Sequence, residues 1–298
     1  MQLKSFAIDE NLKELTKHHT VIMPIAYYQT TINQNIHGHI PLHWHDEIQF
    51  VLIVKGKANF QVNEDRLEVR EGDGLFINSG CLHMAQEKDQ TNCVYICLNL
   101  SPFFVLSQEL YTTYVKPYIQ ATNLPYLYID SKESWGKKIT VAILEIYQCL
   151  ERKSEYYEID TTTQLALLWK NLIDNGFQLE YIEAEKIKSQ RFKQMISWIH
   201  EHYADKIMLE DIAKAGQLSR SECCRYFKRL LRCTPFKYVM EYRIHKSLLL
   251  LQKDNSNITE VAYQVGFNSS SYFIKEFKKT MKMTPLAFKK KKGLNGQI

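Results

Sequence analysis

The stretch ITEVAYQVGFNSSSYFIKEFKKTMKMTP, residues 258–285, decides the fold of the C-terminal third of this 298-residue chain. It repeats residues 209–235, LEDIAKAGQLSRSECCRYFKRLLRCTP, so that the Ser, Phe-Lys and Thr-Pro elements that start at Ser219 recur fifty residues later from Ser269. An internal repeat of this kind indicates a duplicated supersecondary unit. A duplicated helical unit with a basic exposed face can occupy two neighbouring turns of a DNA groove.

The second helix predicted in each copy is amphipathic. Its apolar side chains recur at helical spacing, at Cys223, Phe227 and Leu231 in the first copy and at Phe273, Phe277 and Met281 in the second. The opposite faces are largely cationic and comprise Ser221, Arg225, Lys228, Arg232, Ser271, Lys275, Lys278 and Lys282. A shorter helical pattern precedes each, so each copy predicts a helix, a tight turn and a second helix.

Serine begins the second helix of both copies. Ser219 and Ser269 are predicted N-caps, because a hydroxyl there accepts a hydrogen bond from an otherwise unpaired backbone N–H. Gln217 stands where the second copy has Gly266, and glycine alone adopts a positive φ without cost. Between the copies, residues 236–252 follow a helical pattern. About 17 residues at 1.5 Å each give roughly 26 Å, which suits a rigid spacer between two groove-binding helices.

Charge divides the chain sharply. Residues 1–185 carry 15 Lys and Arg against 24 Asp and Glu, a formal charge of −9, whereas residues 186–298 carry 23 against 9, a charge of +14. The C-terminal part therefore favours a polyanionic partner. The alternative is a helical protein-interaction module whose lysines are merely solvated.

These C-terminal residues resemble the AraC/XylS family of bacterial transcription regulators over about residues 192–290. The family pattern of Ala-x3-Gly-Phe, Ser-Tyr-Phe, Phe-Lys and Thr-Pro is present in the second copy, whereas Gln217, Arg232 and Lys282 replace glycines common in the family. The resemblance implies contacts with DNA bases from Ser221, Cys224, Arg225, Ser270, Ser271 and Lys275. It implies contacts with DNA phosphates from Ser219, Lys228, Arg229, Arg243, Ser269, Lys278 and Lys279.

The acidic N-terminal half reads as short strands. Apolar and polar residues alternate over Ile48–Val54, Ala58–Val62, Arg66–Val69, Leu75–Asn78 and Val94–Leu100, and turn residues separate these runs. This pattern predicts a small β-barrel or jelly roll. The expected fold class is thus α+β and multidomain, with a β-barrel, a helical connector and an all-α domain of two helix-turn-helix units.

The barrel segment resembles the cupin fold, whose metal-binding form has the pattern His-x-His-x3-Glu-x6-Gly and a later His. His43, His45 and His83 fit, but Gln49 stands at the Glu position, and a neutral amide is a poor ligand for a divalent metal. We expect an effector pocket around His43, His45, Gln49 and His83 and no cofactor. A metal, if bound, would use the three histidines, with Glu47 as a possible substitute for the missing Glu; the alternative is a metal-free polar pocket.

The expected domains are 1–135 for ligand binding, 136–185 as a connector, and 186–298 for DNA binding. Two helices are predicted in the connector, with apolar stripes through Ile139–Leu150 and Leu165–Ile173. We expect these stripes to form a homodimer, and packing against the barrel is the alternative.

The parts together predict a transcription regulator that binds double-stranded DNA under control of a small molecule, with sugars among the candidates. Activation is expected over repression, and RNA polymerase is a candidate partner. Seven cysteines without a CxxC pair and the lack of a leader at Met1 predict a cytoplasmic protein, and no apolar run suits a membrane span. The rivals are a cupin metalloenzyme with a DNA-binding tail and an effector-independent DNA binder. No catalytic residue is expected.

Overall fold

The computed structural model describes residues 13–14, 23–35, 38–251 and 256–293, and for residues 291–293 it describes the backbone alone. The chain divides into two compact units, residues 1–186 and 187–298. Residues 136–185, which we treated as a separate connector, therefore belong to the first unit. The prediction about a leader concerns residues that lie outside the described part of the chain.

Two antiparallel sheets form the framework of the first unit. The strands are β1 (Ile25–Thr31), β2 (Ile40–His43), β3 (Ile48–Lys55), β4 (Lys57–Val62), β5 (Asp65–Arg70), β6 (Gly74–Ile77), β7 (His83–Glu87), β8 (Val94–Leu100) and β9 (Tyr126–Ile129). One sheet has the order β1-β8-β3-β6-β9 and the other has the order β2-β7-β4-β5. This arrangement is the barrel-like double sheet that the alternating runs predicted.

Four strands, β1, β2, β7 and β9, were absent from the sequence prediction. Strands β2 and β7 are short, and the histidines that end β2 and begin β7 are buried. A polar residue on the buried face reverses the usual alternation of apolar and polar side chains. This explains why the sequence pattern did not reveal β2 and β7.

Strand β3 is buried on both faces. Val51 and Ile53 belong to the core between the two sheets, whereas Phe50 and Leu52 belong to a second core on the outer side of the five-stranded sheet. A strand covered on both sides reads as a nearly continuous apolar run, as IQFVLIV does here. The inward face of β3 also carries Gln49, because side chains alternate along a strand.

Helices cover that outer side. The helices of the first unit are α1 (Gln108–Tyr114), α2 (Lys116–Gln120), α3 (Ser134–Arg152) and α4 (Tyr157–Ile173). The predicted apolar stripes of α3 and α4 are buried in one core with strand residues such as Phe76 and Leu98. Trp169 in α4 is fully buried, and its Nε1 donates to the carbonyl of Tyr114 at 2.8 Å. The stripes thus pack against the barrel, which was the alternative reading.

The second unit is helical. Its elements are α5 (Glu183–His202), whose first residues still belong to the first unit, α6 (Leu209–Ala215), α7 (Arg220–Leu231), α8 (Pro235–Leu251), α9 (Ile258–Gln264), α10 (Ser270–Met281) and α11 (Pro285–Gly293). Helices α6 and α7 form the first predicted helix-turn-helix unit, and α9 and α10 form the second. Helix α8 is the expected spacer of 17 residues. The predicted end of that spacer, Gln252, lies outside the described residues.

Each helix-turn-helix unit has its own aromatic core. Phe227 of α7 packs against Phe192 of α5, with ring centroids 5.3 Å apart. In the second helix-turn-helix unit Phe273 and Phe277 of α10 are fully buried, and their ring centroids lie 5.6 Å apart. The apolar positions of the repeat therefore orient both second helices, which leaves their basic faces in solvent.

Candidate functional site

The N-terminus of α7 is held by its serine cap. Glu222 N donates to Ser219 Oγ at 3.2 Å, and Ser219 N donates to Glu222 Oε2 at 3.1 Å. This reciprocal capping box satisfies two backbone donors. In α10, Tyr272 N donates to Ser269 Oγ at 3.4 Å. Both serines thus fix where the second helices begin.

The residues that the resemblance assigned to DNA bases lie on the outer faces of α7 and α10. Ser221, Arg225, Ser271 and Lys275 are exposed, while Cys224 and Ser270 are half-buried. Arg225 has 73% of its side chain exposed and lies 3.7 Å from Glu222, measured between Nη2 and Oε1. Such a weak surface pair leaves the guanidinium available to a ligand.

The residues assigned to phosphates are also mostly exposed. Lys228, Arg229, Lys278 and Lys279 lie in the last turns of the two helices and point to solvent. Arg243 differs, because its Nε donates to the carbonyl of Tyr203 at 2.6 Å and its Nη2 donates to that of Asp205 at 2.7 Å. These two hydrogen bonds tie this half-buried arginine to the segment after α5.

Two exposed apolar residues of α10 were missed by the sequence prediction. Tyr272 and Ile274 are 47% and 38% exposed, although both adjoin the predicted contact residues. An apolar side chain on a groove-facing helix can contact the methyl group of thymine. In the sequence their positions beside Ser271 and Lys275 were the available signal.

Three histidines meet in the interior of the barrel. His43 and His83 are direct partners in the β2–β7 ladder, and their ring centroids lie 4.0 Å apart. The ring of His45 lies 4.9 Å from that of His83. All three side chains are buried, and one ring nitrogen from each lies within 4.8 Å of the others. The structure thus brings together the histidines that the sequence predicted.

Backbone carbonyls fix the tautomer of these rings in their neutral form. The Nδ1 atoms of His43, His45 and His83 contact the carbonyls of Pro41, Glu47 and Cys81 at 2.8, 3.0 and 2.9 Å. A carbonyl can only accept, so each Nδ1 carries a proton and each neutral ring has its lone pair on Nε2. Burial lowers the pKa of His83 to about 4, which keeps that ring neutral near pH 7. Its Nε2 is buried without a hydrogen-bond partner among the described residues.

Gln49 is buried on the inward face of β3. Its Nε2 donates to Cys97 Sγ at 2.9 Å, and that thiol lies 3.1 Å from Asn99 Oδ1. The Oε1 atom of Gln49 is buried without a hydrogen-bond partner among the described residues. A buried acceptor of this kind costs free energy unless a ligand or water satisfies it.

Glu47, the expected substitute for the missing Glu, lies near Nδ1 of His45. Its Oε2 is 3.7 Å from that nitrogen, which also contacts the carbonyl of Glu47. Alternation along a single strand would place Glu47 on the same face as His45 and Gln49. In the structure β2 ends at His43 and β3 begins at Ile48, so strand alternation does not relate these residues.

A different carboxylate, Glu14, reaches the interior. Its side chain is 6% exposed, and its backbone N donates at 3.0 Å to the carbonyl of Trp44, the residue between His43 and His45. Its carboxylate contributes to raising the pKa of half-buried Tyr28 and of buried Tyr95 and Cys97, after the larger effect of desolvation by burial. No sequence signal identified Glu14, because it lies outside the alternating runs.

The three histidines fit a transition-metal site by donor type, tautomer and convergence. The neutral amide at position 49 does not supply an anionic ligand. His43, His45, Gln49 and His83 equally provide donors and acceptors for a polar small molecule. None of the helices among the described residues combines the length and apolar character needed to cross a membrane.

Comparison with known proteins matches both units. The family model of an AraC-like ligand binding domain covers residues 27–127, and that of a helix-turn-helix domain covers residues 212–291. The HTH-type transcriptional regulator YdeC of Bacillus subtilis (strain 168) is 66% identical over 288 residues, which cover 97% of this chain and 99% of YdeC.

More distant relatives also match over most of the chain. The HTH-type transcriptional activator RhaS of Escherichia fergusonii is 23% identical, covering 91% of this chain and 96% of RhaS. The crystal structure of ToxT from Vibrio cholerae O395 has a TM-score of 0.44 at 14% identity, covering 91% of this chain and 98% of ToxT. The matched relatives are regulators and not enzymes. The chain belongs to the AraC family of HTH-type transcriptional regulators, with an AraC-like ligand-binding domain followed by a DNA-binding helix-turn-helix domain.

Proposed function

We propose that a small molecule bound inside the barrel controls how this regulator binds its operator. The observation that carries this proposal is the cluster of buried polar groups around His43, His45, Gln49 and His83. A barrel core is normally filled by apolar side chains, and a buried polar atom without a partner lowers stability. Nε2 of His83 and Oε1 of Gln49 are such atoms among the described residues, and a ligand that bonds to them would explain their presence.

On the DNA side, α7 and α10 enter successive major grooves. Arg225 reads guanine, because a guanidinium can donate to both O6 and N7. Ser221, Cys224, Ser270, Ser271 and Lys275 contact the other base edges. Ser219, Lys228, Arg229, Ser269, Lys278 and Lys279 fix the helices on the phosphates. Arg243 is left out of this set because its guanidinium holds backbone carbonyls.

The regulator acts as a homodimer in this proposal. Helices α3 and α4 bury their inner stripes on the barrel but leave Val141, Leu144, Ile159 and Leu167 exposed. Exposed apolar residues on two adjacent helices favour a partner surface. A second copy suits this surface, because a two-fold pairing would present two DNA-binding units to a paired operator.

Activation is the proposed outcome of effector binding, and the support for it is that the RhaS relatives are activators. Contact with RNA polymerase would follow from activation. A sugar suits a pocket of neutral donors and acceptors. Such a ligand changes DNA binding only through its differential affinity for the two arrangements of the regulator.

Two measurements test the proposed function. Genomic fragments bound by the full chain identify the operator, and a metabolite panel that includes sugars is then screened by thermal shift and by gel shift on that operator. We expect at least one compound to raise the melting temperature and to change operator affinity. If the chain binds its operator specifically and no compound alters that binding, the protein is an effector-independent DNA binder and the proposal is wrong.

A further inference from the structure

The histidine cluster has the geometry of preformed metal ligands. Each ring is oriented by a hydrogen bond from Nδ1–H to a backbone carbonyl, and this outer contact commonly fixes metal-binding histidines. With each Nδ1 bonded to a carbonyl, Nε2 is the nitrogen through which each ring would bind a metal. Nitrogen ligands about 2.1 Å from a metal lie roughly 3–3.5 Å apart. Small side-chain rotations would bring nitrogens that now lie within 4.8 Å of one another to that spacing.

Three neutral imidazoles leave the charge of a divalent cation uncompensated. Gln49 cannot compensate it, and the carboxylate of Glu47 lies near Nδ1 of His45, the nitrogen that contacts a backbone carbonyl. Glu14 is a buried carboxylate whose backbone is tied to Trp44, between two of the histidines. The neighbouring Lys13 forms an ion pair with Asp46, which directly follows His45 in the chain. These contacts place the backbone of Glu14 beside the cluster.

We propose that the barrel binds a divalent first-row transition metal ion through Nε2 of His43, His45 and His83, with Glu14 as the carboxylate donor that position 49 lacks. Imidazole-rich sites suit zinc, nickel, cobalt and copper more than magnesium or calcium. The unsatisfied Oε1 of Gln49 becomes an acceptor for a metal-bound water or effector hydroxyl. The site is the pocket of the proposed function, so this assignment rests on it.

Metal binding would join two separate parts of the sequence. The histidines lie on and beside β2 and β7, whereas Glu14 comes from the segment before β1. Among the described residues, a bond from Glu14 N to the Trp44 carbonyl and the Lys13–Asp46 ion pair attach this segment to the histidine run. A shared metal ion would add a much stronger link that depends on metal concentration.

Metal titration of the full chain tests the proposal. The protein is stripped with a chelator, titrated with Zn²⁺ by calorimetry, and titrated with Co²⁺ while visible absorption reports the ligand geometry. We expect one metal per chain. Removing an outer-shell partner costs about 10–100-fold in affinity. We therefore expect His83→Ala to lose about 100-fold or more and Glu14→Gln to lose at least about 10-fold, with an altered cobalt spectrum.

A rescue variant separates coordination from folding. Gln49→Glu in the Glu14→Gln background restores a carboxylate at the strand position, so zinc affinity should recover. Glu145→Gln, an exposed acid on α3, is the matched control and should bind zinc as the unmodified chain does. Melting curves of the metal-free variants check that each has folded.

Each failure points to a different conclusion. No zinc binding, or unchanged binding by His83→Ala, would overturn the metal site. If Glu14→Gln matches the unmodified chain in affinity and cobalt spectrum, Glu14 is not a ligand. Gel shifts on the operator separate these results from the proposed function. If the chain binds no zinc but a metabolite alters its operator affinity, this inference alone is overturned. If the chain binds zinc but neither zinc nor any metabolite alters operator affinity, the effector mechanism alone is overturned.

Discussion

Gln217 and Gly266 occupy equivalent positions in the two helix-turn-helix units, and both have left-handed backbone, with φ of 53° and 86°. The same pair of hydrogen bonds closes each turn: residue 217 donates to Lys214 and residue 218 to Ala213, while 266 donates to Tyr263 and 267 to Ala262. This is the Schellman end of a helix, which favours glycine at the left-handed position. The first turn therefore uses a residue that is strained in this conformation.

Gln217→Gly should stabilise the first helix-turn-helix unit. A left-handed non-glycine residue costs roughly 1–2 kcal/mol, and part of that gain is offset by the greater freedom of glycine in the unfolded chain. We expect a net gain of about 0.5–1 kcal/mol, measured by hydrogen exchange of the α6 and α7 amides in the full chain. Protection that is unchanged or reduced would contradict the strain at this position.

Gly266→Ala should have the opposite sign. A Cβ atom there would lie 2.7 Å from the Ala204 carbonyl oxygen and 2.8 Å from that of Tyr203, and the backbone is left-handed as well. We expect the second helix-turn-helix unit to lose about 2–3 kcal/mol of stability, measured by hydrogen exchange at α9 and α10. If Gly266→Ala loses less stability than an alanine substitution at an exposed position, the segment after α5 can move away from the added Cβ atom and the prediction is wrong.

Arg232→Gly should separate stability from DNA affinity. Arg232 ends α7 with φ of 56°, and Lys282 ends α10 with φ of 58°. Glycine at position 232 relieves a strain of about 1 kcal/mol but removes a cation near the proposed DNA surface. We expect a more stable unit with weaker binding to random DNA, and a salt slope reduced by about one. An unchanged slope would place Arg232 outside the phosphate contacts.

Arg225→Ala and Lys279→Ala should affect DNA binding in different ways. Loss of a bidentate contact to guanine should cost about 1–3 kcal/mol on the operator and relax one base position. Loss of a phosphate contact at Lys279 should weaken operator and random DNA alike. Gel shifts at two salt concentrations measure both. An equal loss on both kinds of DNA for Arg225→Ala would remove its role in base reading.

Asp73→Asn should destabilise the barrel at neutral pH. Burial raises the pKa of Asp73, but hydrogen bonds from Tyr128 and Ser131 outweigh burial and hold it below the ordinary value of 3.8. Charged hydrogen bonds of this kind contribute about 1.5–3 kcal/mol.

The sign of the pH effect follows from that lowered pKa. The contribution of Asp73 is present above the pKa of the unfolded state and is lost as pH falls through the lower folded pKa. Urea unfolding between pH 7 and pH 3 should show a loss of stability at the acidic end that Asp73→Asn lacks. Parallel pH profiles for both proteins would contradict this role.

Leu167→Glu should disrupt the proposed homodimer. Leu167 is 47% exposed on α4, so a charge there should leave the barrel core intact while it repels a second copy. We expect a monomer by light scattering and weaker operator binding with a similar melting temperature. Glu155→Gln is an exposed control on the preceding loop. A Leu167→Glu variant that remains dimeric would place the interface elsewhere.

The repeat was the most predictable part of the fold. Phe227 and Phe277 recur at positions that face a local core, so helical periodicity alone identified α7, α10 and their exposed faces. The barrel was predicted from five strands. Strands β2 and β7 escaped detection because their buried histidines break the alternation, although the same histidines had already pointed to the pocket.

By itself, the sequence determined the local properties: two duplicated helical units with serine caps, a basic C-terminal part, and histidines suited to a polar site. These depend on neighbours within a few residues, so periodicity and residue chemistry suffice to predict them. Tertiary structure alone decided that Arg243 holds backbone carbonyls, that α3 and α4 cover the barrel, and that Glu14 enters the interior. Each of these involves residues far apart in the chain, whose contact is set by packing rather than by any local pattern.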